Sequence, residues 1–459
     1  MKALTSYTSV YFIGAGGIGM SALVRYCLAK GYAVAGYDKI RSALTGALEK
    51  EGAEMFYDES VDLIPASFRD PEHTLVVYTP AVPDTHDGLV YFRDHAFTVI
   101  KRAELLGLIT RESRGLCVAG THGKTTTSSM TAHILAQSSV GCSAFLGGIL
   151  KNYDSNLILS DKSDLVVVEA DEYDRSFHHL QPYMAVITAT DPDHLDIYGT
   201  YEAYLESFRH FTTLIRPWGV LIVKKGLLLR PELAAGVRLY TYSLDDGGDF
   251  YARNIRMGDG KILFDWVYPG GVVADVDLGV PVRVNIENGV AAMALAWLNG
   301  AAPEEMRRAM NSFAGARRRF DFWIREGKTI LVDDYAHHPD EIKASLSSLR
   351  ALYAGKKISV VFQPHLYSRT RDFCDEFAAA LSLADELFLL DIYPAREQPI
   401  PGVTSRIIFD KVKCERKELC SKEKLLETIK ERNFEVLITL GAGDIDRLLP
   451  VIKEEILAK

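Results

Sequence analysis

An α/β fold with mostly parallel sheets, divided among two or three domains, is what three observations on this sequence predict. Short β-branched runs alternate with helical periods along nearly the whole chain. The runs fall into three successive series, each carrying glycine-rich turns or polar residues at strand ends. At 459 residues, 48% of them hydrophobic, the chain is also too long for one ordinary core.

The first series opens with a strand VYFIG at 10–14, and the helix after Gly19 presents Met20, Leu23 and Val24. Strands AVAGYD at 33–38 and TLVVYTP at 74–80 follow. The second series begins at GLCVAG (115–120) and continues through LVVVEAD (165–171) and AVITAT (185–190). Turn-rich alternation over 240–285 predicts an antiparallel portion. After the basic run Arg317-Arg318-Arg319 come TILVDD (329–334), KISVVF (357–362), ELFLLD (386–391) and EVLITLG (435–441). Boundaries are expected near 106 and 315, giving segments 1–106, 107–315 and 316–459. No internal repeat or low-complexity segment is visible.

A net charge of -9 argues against general nucleic-acid binding, because an acidic surface is repelled by a phosphate backbone. The six cysteines form no C-x-x-C pair, so neither a structural zinc site nor a redox motif is expected, and reduced thiols of a cytosolic protein are. No apolar run approaches the ~20 residues of a membrane span. Val10 to Val24 imitates a secretion signal, but its four glycines and the lack of a basic lead favour a strand, a turn and a helix.

Gly14-Ala15-Gly16-Gly17-Ile18-Gly19 is a G-x-G-x-x-G after a strand. Glycines allow a sharp turn and close approach to a diphosphate at the helix N-terminus. Asp38 stands where a ribose-binding acid is expected. A nicotinamide, a flavin or a UDP-sugar would each use such a turn.

A second phosphate-binding turn is Gly120-Thr121-His122-Gly123-Lys124-Thr125-Thr126-Thr127. Backbone amides there would cradle phosphates, Lys124 would reach the β- and γ-phosphates, and the Thr125 hydroxyl would hold Mg2+. The general G-x-x-x-x-G-K-[ST] pattern has glycine where this chain has Val118, so the loop is a variant. Two separate turns imply two phosphorylated ligands.

Carboxylates after buried strands point into the crevice where parallel sheets bind ligands. Glu169, followed by Asp171 and Glu172, is a natural Mg2+ ligand beside the loop. His194, between Asp193 and Asp196, is expected at the next strand end. Asp333-Asp334-Tyr335-Ala336-His337-His338 and Gln363-Pro364-His365, with Arg369 beyond, collect at two later strand ends.

Taken in order, GAGGIGMS (14–21), GTHGKTTT (120–127), EADEYDRSF (169–177), DHLD (193–196), N-x-x-N (285–288), RRF (318–320), DDYAHHPDE (333–341), FQPHLYSRT (362–370), DIYPAREQPIPG (391–402) and GAGDI (441–445) resemble the Mur ligase family of peptidoglycan synthesis over nearly the whole chain. The resemblance implies three domains: an N-terminal Rossmann-like domain for the UDP-sugar, a central P-loop ATPase-type parallel sheet, and a C-terminal Rossmann-like domain. It implies ATP-dependent joining of L-alanine to UDP-N-acetylmuramate through an acyl phosphate, with Mg2+, in the bacterial cytoplasm, by a monomer or homodimer.

Carried onto matching positions, Lys124, Glu169, His194 and Arg319 become the catalytic residues. Gly120 to Thr126, Asn288, Arg319 and Asp334 become ATP contacts, with Asn288 at the adenine and Arg319 and Asp334 reaching the nucleotide from the third domain. Thr125, Glu169 and His194 become metal ligands, and His337, His365 and Arg369 face the amino acid. The chain departs from the family pattern at three places: Leu366 replaces an arginine, Ala189-Thr190-Asp191 replaces N-I-E, and Val284 replaces a histidine. The rival readings are a related ligase that attaches a recycled tripeptide to the same sugar acid, a nicotinamide oxidoreductase, and a non-catalytic ATP-dependent regulator.

Overall fold

The computed structural model describes residues 2–459 except 246 and 396, and gives no side-chain description for Leu195 and Asp196. The chain forms two compact units. One comprises Met1–Tyr251, Trp266–Val273 and Asn288–Ala309, the other Ala252–Asp265, Ala274–Glu287 and Met310–Lys459.

The first sheet contains β1 (Ser9–Ile13), β2 (Ala33–Tyr37), β3 (Glu54–Phe56), β4 (Thr74–Tyr78) and β5 (Thr98–Lys101) in the order β3-β2-β1-β4-β5. Every pairing is parallel. All five residues of β1 are buried, as a strand covered by helices on both faces requires. The order reverses between β1 and β4, which opens a crevice at their C-terminal ends.

The second sheet contains β6 (Arg114–Ala119), β7 (Ser143–Leu150), β8 (Ser155–Ile158), β9 (Leu165–Ala170), β10 (Met184–Ile187), β11 (Val220–Lys224), β12 (Arg238–Ser243), β13 (Phe250–Gly258), β14 (Lys261–Tyr268) and β15 (Gly271–Asp277). Its order is β15-β14-β13-β12-β11-β10-β6-β9-β7-β8. β6 pairs in parallel with both β10 and β9, so loops that are far apart in sequence open side by side. The expected antiparallel stretch is shorter than 240–285. β12 runs parallel to β11 and to β13, and the antiparallel part is β13, β14 and β15, joined by two-residue connections.

The third sheet contains β16 (Asp321–Ile324), β17 (Ile330–Asp334), β18 (Ile358–Phe362), β19 (Glu386–Leu389), β20 (Arg416–Leu419) and β21 (Val436–Leu440), in the order β16-β17-β21-β18-β19-β20. Only β16 is antiparallel to its neighbour. Among the described residues no helix is long and apolar enough to cross a membrane. All six cysteines are unpaired thiols.

Candidate active site

The phosphate loop leaves β6 at Gly120, whose φ of +138° only glycine adopts readily. A Cβ there would meet Thr188 Oγ1 at 2.2 Å and the Ala189 nitrogen at 2.7 Å. The loop is stitched to the segment after β10. The Thr188 hydroxyl donates to the His122 carbonyl at 2.5 Å, the Thr121 amide to Ala189 O at 3.1 Å, and the Thr121 hydroxyl to Asp191 O at 2.9 Å. Val118 explains the variant pattern: it is still a β6 residue, in register with Glu169 of β9, so the turn starts two residues later. Lys124 then begins the helix Lys124–Gln137, with Thr125 and Thr126 in its first turn, where free amides and the helix dipole favour anions.

Around this loop the acids divide. Glu169 Oε1 accepts from the Thr125 hydroxyl at 2.9 Å, and its Oε2 from the Gly147 amide at 3.1 Å. Lys124 Nζ donates to the Gly120 carbonyl at 2.7 Å and lies 2.8 Å from either oxygen of Glu172. Glu172 is only 1% exposed, and burial raises its pKa against the pull of Lys124. Tyr198 donates its hydroxyl proton to the Glu172 carbonyl at 2.5 Å. Asp174 and Arg175 follow, both at positive φ (53° and 54°), a costly pairing of left-handed residues in the loop that turns Glu172 inward.

His194 corrects its expected place. β10 ends at Ile187, so His194 is not at a strand end but on the loop into the short helix Leu195–Tyr198, with φ 51°. Its Nε2 lies 4.0 Å from Glu172 Oε1 and 3.7 Å from Asp193 Oδ2, and its ring meets Tyr173 edge-on at 5.1 Å. The flanking Asp196 side chain lies outside the described residues. Asn288, on the helix Arg283–Leu298, accepts from the Thr127 hydroxyl at 3.3 Å, which places it against the phosphate loop. Lys124, Thr125, Glu169, His194 and Asn288 are therefore gathered in one unit. Glu172 completes the group, and the sequence did not single it out from the two acids beside it. Among the described residues, no three His, Cys, Asp or Glu side chains are disposed to enclose a metal.

The other turn sits at the β1/β4 switch. Gly14, at φ +86°, donates its amide to Tyr37 O at 2.8 Å, and Ala15 to the same oxygen at 3.0 Å. Asp38 takes the Gly16 amide on Oδ2 at 2.6 Å and the Ile40 amide on Oδ1 at 3.1 Å. The acid expected at the ribose thus also fastens the turn itself. Gly17 stands at the N-cap of the helix Ile18–Ala29, and Ile18 and Gly19 are its first residues.

In the second unit β17, β21 and β18 are neighbours, and their C-terminal ends collect the remaining candidates. Asp334 is buried, accepts a hydrogen bond from Ser345 Oγ and another from the Ala336 amide at 3.3 Å, and has its pKa raised by burial. The guanidiniums of Arg318 and Arg319 lie 4.9 and 5.3 Å from the Tyr335 ring. The His337 and His365 rings are 6.0 Å apart. Burial, His337 and the Arg369 charge push His365 down to about 4, so its imidazole is neutral at pH 7. Leu366, where the family pattern has arginine, has φ 70° and precedes the helix Tyr367–Asp372 that carries Arg369.

Parallel sheets with a phosphate loop whose lysine is paired to a buried acid define a nucleotide-dependent enzyme. Comparison with known proteins specifies which. Residues 9–114 match the Mur ligase family catalytic domain, 118–296 the Mur ligase middle domain, and 318–444 the Mur ligase glutamate ligase domain. The chain belongs to the Mur ligase family, ATP-dependent enzymes that form amide bonds. It is 63% identical over 451 residues to the UDP-N-acetylmuramate–L-alanine ligase of Parabacteroides distasonis, covering 98% of each chain. It is 62% identical to the enzyme of that name from Phocaeicola vulgatus, covering 97% of each. The solved UDP-N-acetylmuramate–alanine ligase of Thermotoga maritima matches with a TM-score of 0.77 at 26% identity, covering 98% of both chains. A murein peptide ligase from Psychrobacter arcticus shares the fold, with a TM-score of 0.63 at 20% identity.

Proposed function

We propose that this chain joins L-alanine to UDP-N-acetylmuramate at the expense of ATP, through an acyl phosphate, in the bacterial cytoplasm, as a monomer or homodimer. The observation that carries this reading is the pair of separate strand-to-helix turns in one unit, Gly14–Gly19 and Gly120–Thr126, one for each of two phosphorylated substrates. Identity to relatives named for that reaction favours it over tripeptide attachment. Family membership sets aside the oxidoreductase and the non-catalytic regulator.

Residues 1–106, 107–315 and 316–459 are assigned to the nucleotide-sugar, the ATP and the amino acid respectively. Gly14 to Gly19 serve the diphosphate of the UDP-sugar, and Asp38, which also fastens their turn, serves its ribose. Amides of the 120–126 loop and Lys124 bind the triphosphate and offset the charge that builds on the transferring phosphoryl group. Asn288 serves the adenine, and Arg319 and Asp334 the nucleotide. His337, His365 and Arg369 serve the amino acid.

The donor chemistry fits Mg2+: Thr125 Oγ1 and Glu169 Oε1, 2.9 Å apart, are hard oxygens beside the phosphate loop, and magnesium takes few protein ligands and fills its shell with phosphate and water. His194 is the third proposed ligand. Bound there, Mg2+ supplies charge neutralisation of the phosphates. In the reaction a muramoyl carboxylate oxygen takes the γ-phosphoryl and ADP departs. The neutral alanine nitrogen then attacks the acyl carbon, the carbon–oxygen bond to phosphate breaks, and the nitrogen loses its proton. Neutral imidazoles at His337 and His365 leave the amine uncrowded by extra positive charge.

The test is phosphate release with ATP and UDP-N-acetylmuramate across L-alanine, L-serine, glycine and the murein tripeptide. Release fastest with L-alanine is expected. Preference for the tripeptide, or release that ignores the sugar acid, would reject the reading.

A further inference from the structure

Arg102 is the first residue of the helix Arg102–Glu112, which follows the edge strand β5. Its guanidinium lies across the glycine turn: a Cβ on Gly19 would come within 2.8 Å of Arg102 Nη1 and 3.3 Å of Cδ. The side chain is 27% exposed, and its one ion pair among the described residues, with Asp171 Oδ2, is loose at 4.0 Å. Among the described residues no hydrogen bond engages the guanidinium, so a partly buried fork of donors remains unspent beside the Gly14–Gly19 turn. Beside it, Lys101 Nζ lies 3.8 Å from Asp174. The strand-to-helix junction therefore faces the acidic loop that carries Glu172, and that loop holds Arg102 only weakly.

We infer that Arg102 is a substrate-binding residue that grips the diphosphate of the nucleotide-sugar bound at the Gly14–Gly19 turn. The inference rests on the nucleotide-sugar reading above. A planar guanidinium matches two phosphate oxygens at once, and the amides at the start of the helix Ile18–Ala29 complete the cradle. The loose contact to Asp171 keeps the fork near the turn without saturating it, so a diphosphate displaces a weak partner and not a strong one. The diphosphate is favoured over the sugar-acid carboxylate because the guanidinium overlies Gly19, the last glycine of the turn.

The test is calorimetric titration of the unaltered protein and of Arg102→Ala with UDP, UDP-N-acetylglucosamine and UDP-N-acetylmuramate, with ATP as control. The first two ligands carry the diphosphate without the lactyl carboxylate. The expected result is a rise in Kd of about 10- to 100-fold, equal for all three UDP ligands, with ATP affinity unchanged. Arg102→Lys, which keeps the charge but loses the fork, is expected to fall between, and it carries the test if the alanine variant does not fold. A loss confined to UDP-N-acetylmuramate overturns the diphosphate assignment, and unchanged affinity for all three overturns the inference altogether. Failure of the unaltered protein to bind any UDP ligand would instead defeat the nucleotide-sugar reading on which this rests.

Discussion

Nζ of Lys124 lies 2.8 Å from either carboxylate oxygen of Glu172, a side chain only 1% exposed, while Lys124 itself is 15% exposed. A buried pair of this kind is costly to break from one side, because the remaining charge has no water to turn to.

Lys124→Ala should therefore do two things. Turnover should be abolished, and stability should fall by about 3 kcal/mol as Glu172 loses its counter-charge. Adding Glu172→Gln should restore most of that stability and none of the activity. Urea unfolding followed beside phosphate release separates the two effects. Simple addition of the two stability losses would show that the pair is not coupled.

Gly120→Ala forces a Cβ to within 2.2 Å of Thr188 Oγ1, on a backbone with φ +138°. The strain should cost about 2 kcal/mol or more and displace the Thr188 hydroxyl that holds the loop. ATP affinity should drop at least tenfold, while UDP affinity at the other turn stays as it was. A variant with normal ATP affinity would contradict the close packing described.

Glu169 accepts from both the Thr125 hydroxyl and the Gly147 amide. Glu169→Gln keeps the shape but removes the charge proposed to hold Mg2+. The magnesium concentration giving half-maximal activity should rise by about tenfold or more. An unchanged magnesium titration curve would remove Glu169 from the metal site.

Asp333 is fully buried, with its Oδ1 accepting from Thr439 Oγ1 at 2.6 Å, and burial raises its pKa to about 7. A carboxyl raised in the folded state stays protonated there while its unfolded counterpart, near 3.8, ionises. Its contribution is full below the unfolded value and is lost as pH rises through about 7. Asp333→Asn should therefore gain stability relative to the unaltered protein between pH 5 and pH 7.5. Parallel melting curves across that range measure it, and a constant difference between the two proteins would show that Asp333 does not titrate there.

The fold was legible where structure is local. The strand cores, the parallel class and both glycine turns were all readable, because side-chain periodicity and positive φ are properties of a few adjacent residues. Strand ends were misplaced by a residue or two, since Gly14 at φ +86° and Asp38, hydrogen-bonded to the Gly16 amide, leave the pleat for the turn. ITAT looks like a strand continuing towards His194, yet Thr188 already turns away to hold the 120–126 loop.

By itself the sequence determined that there are two glycine-rich strand-to-helix turns, that they follow buried strands, and that acids and histidines stand after neighbouring strands. Only the tertiary structure decided which of Glu169, Asp171 and Glu172 meets the loop lysine, and that Asp38 secures its own turn. Those choices depend on desolvation and on the β10-β6-β9 order, which brings Lys124 against a carboxylate 48 positions away; no pattern in adjacent residues encodes such a meeting.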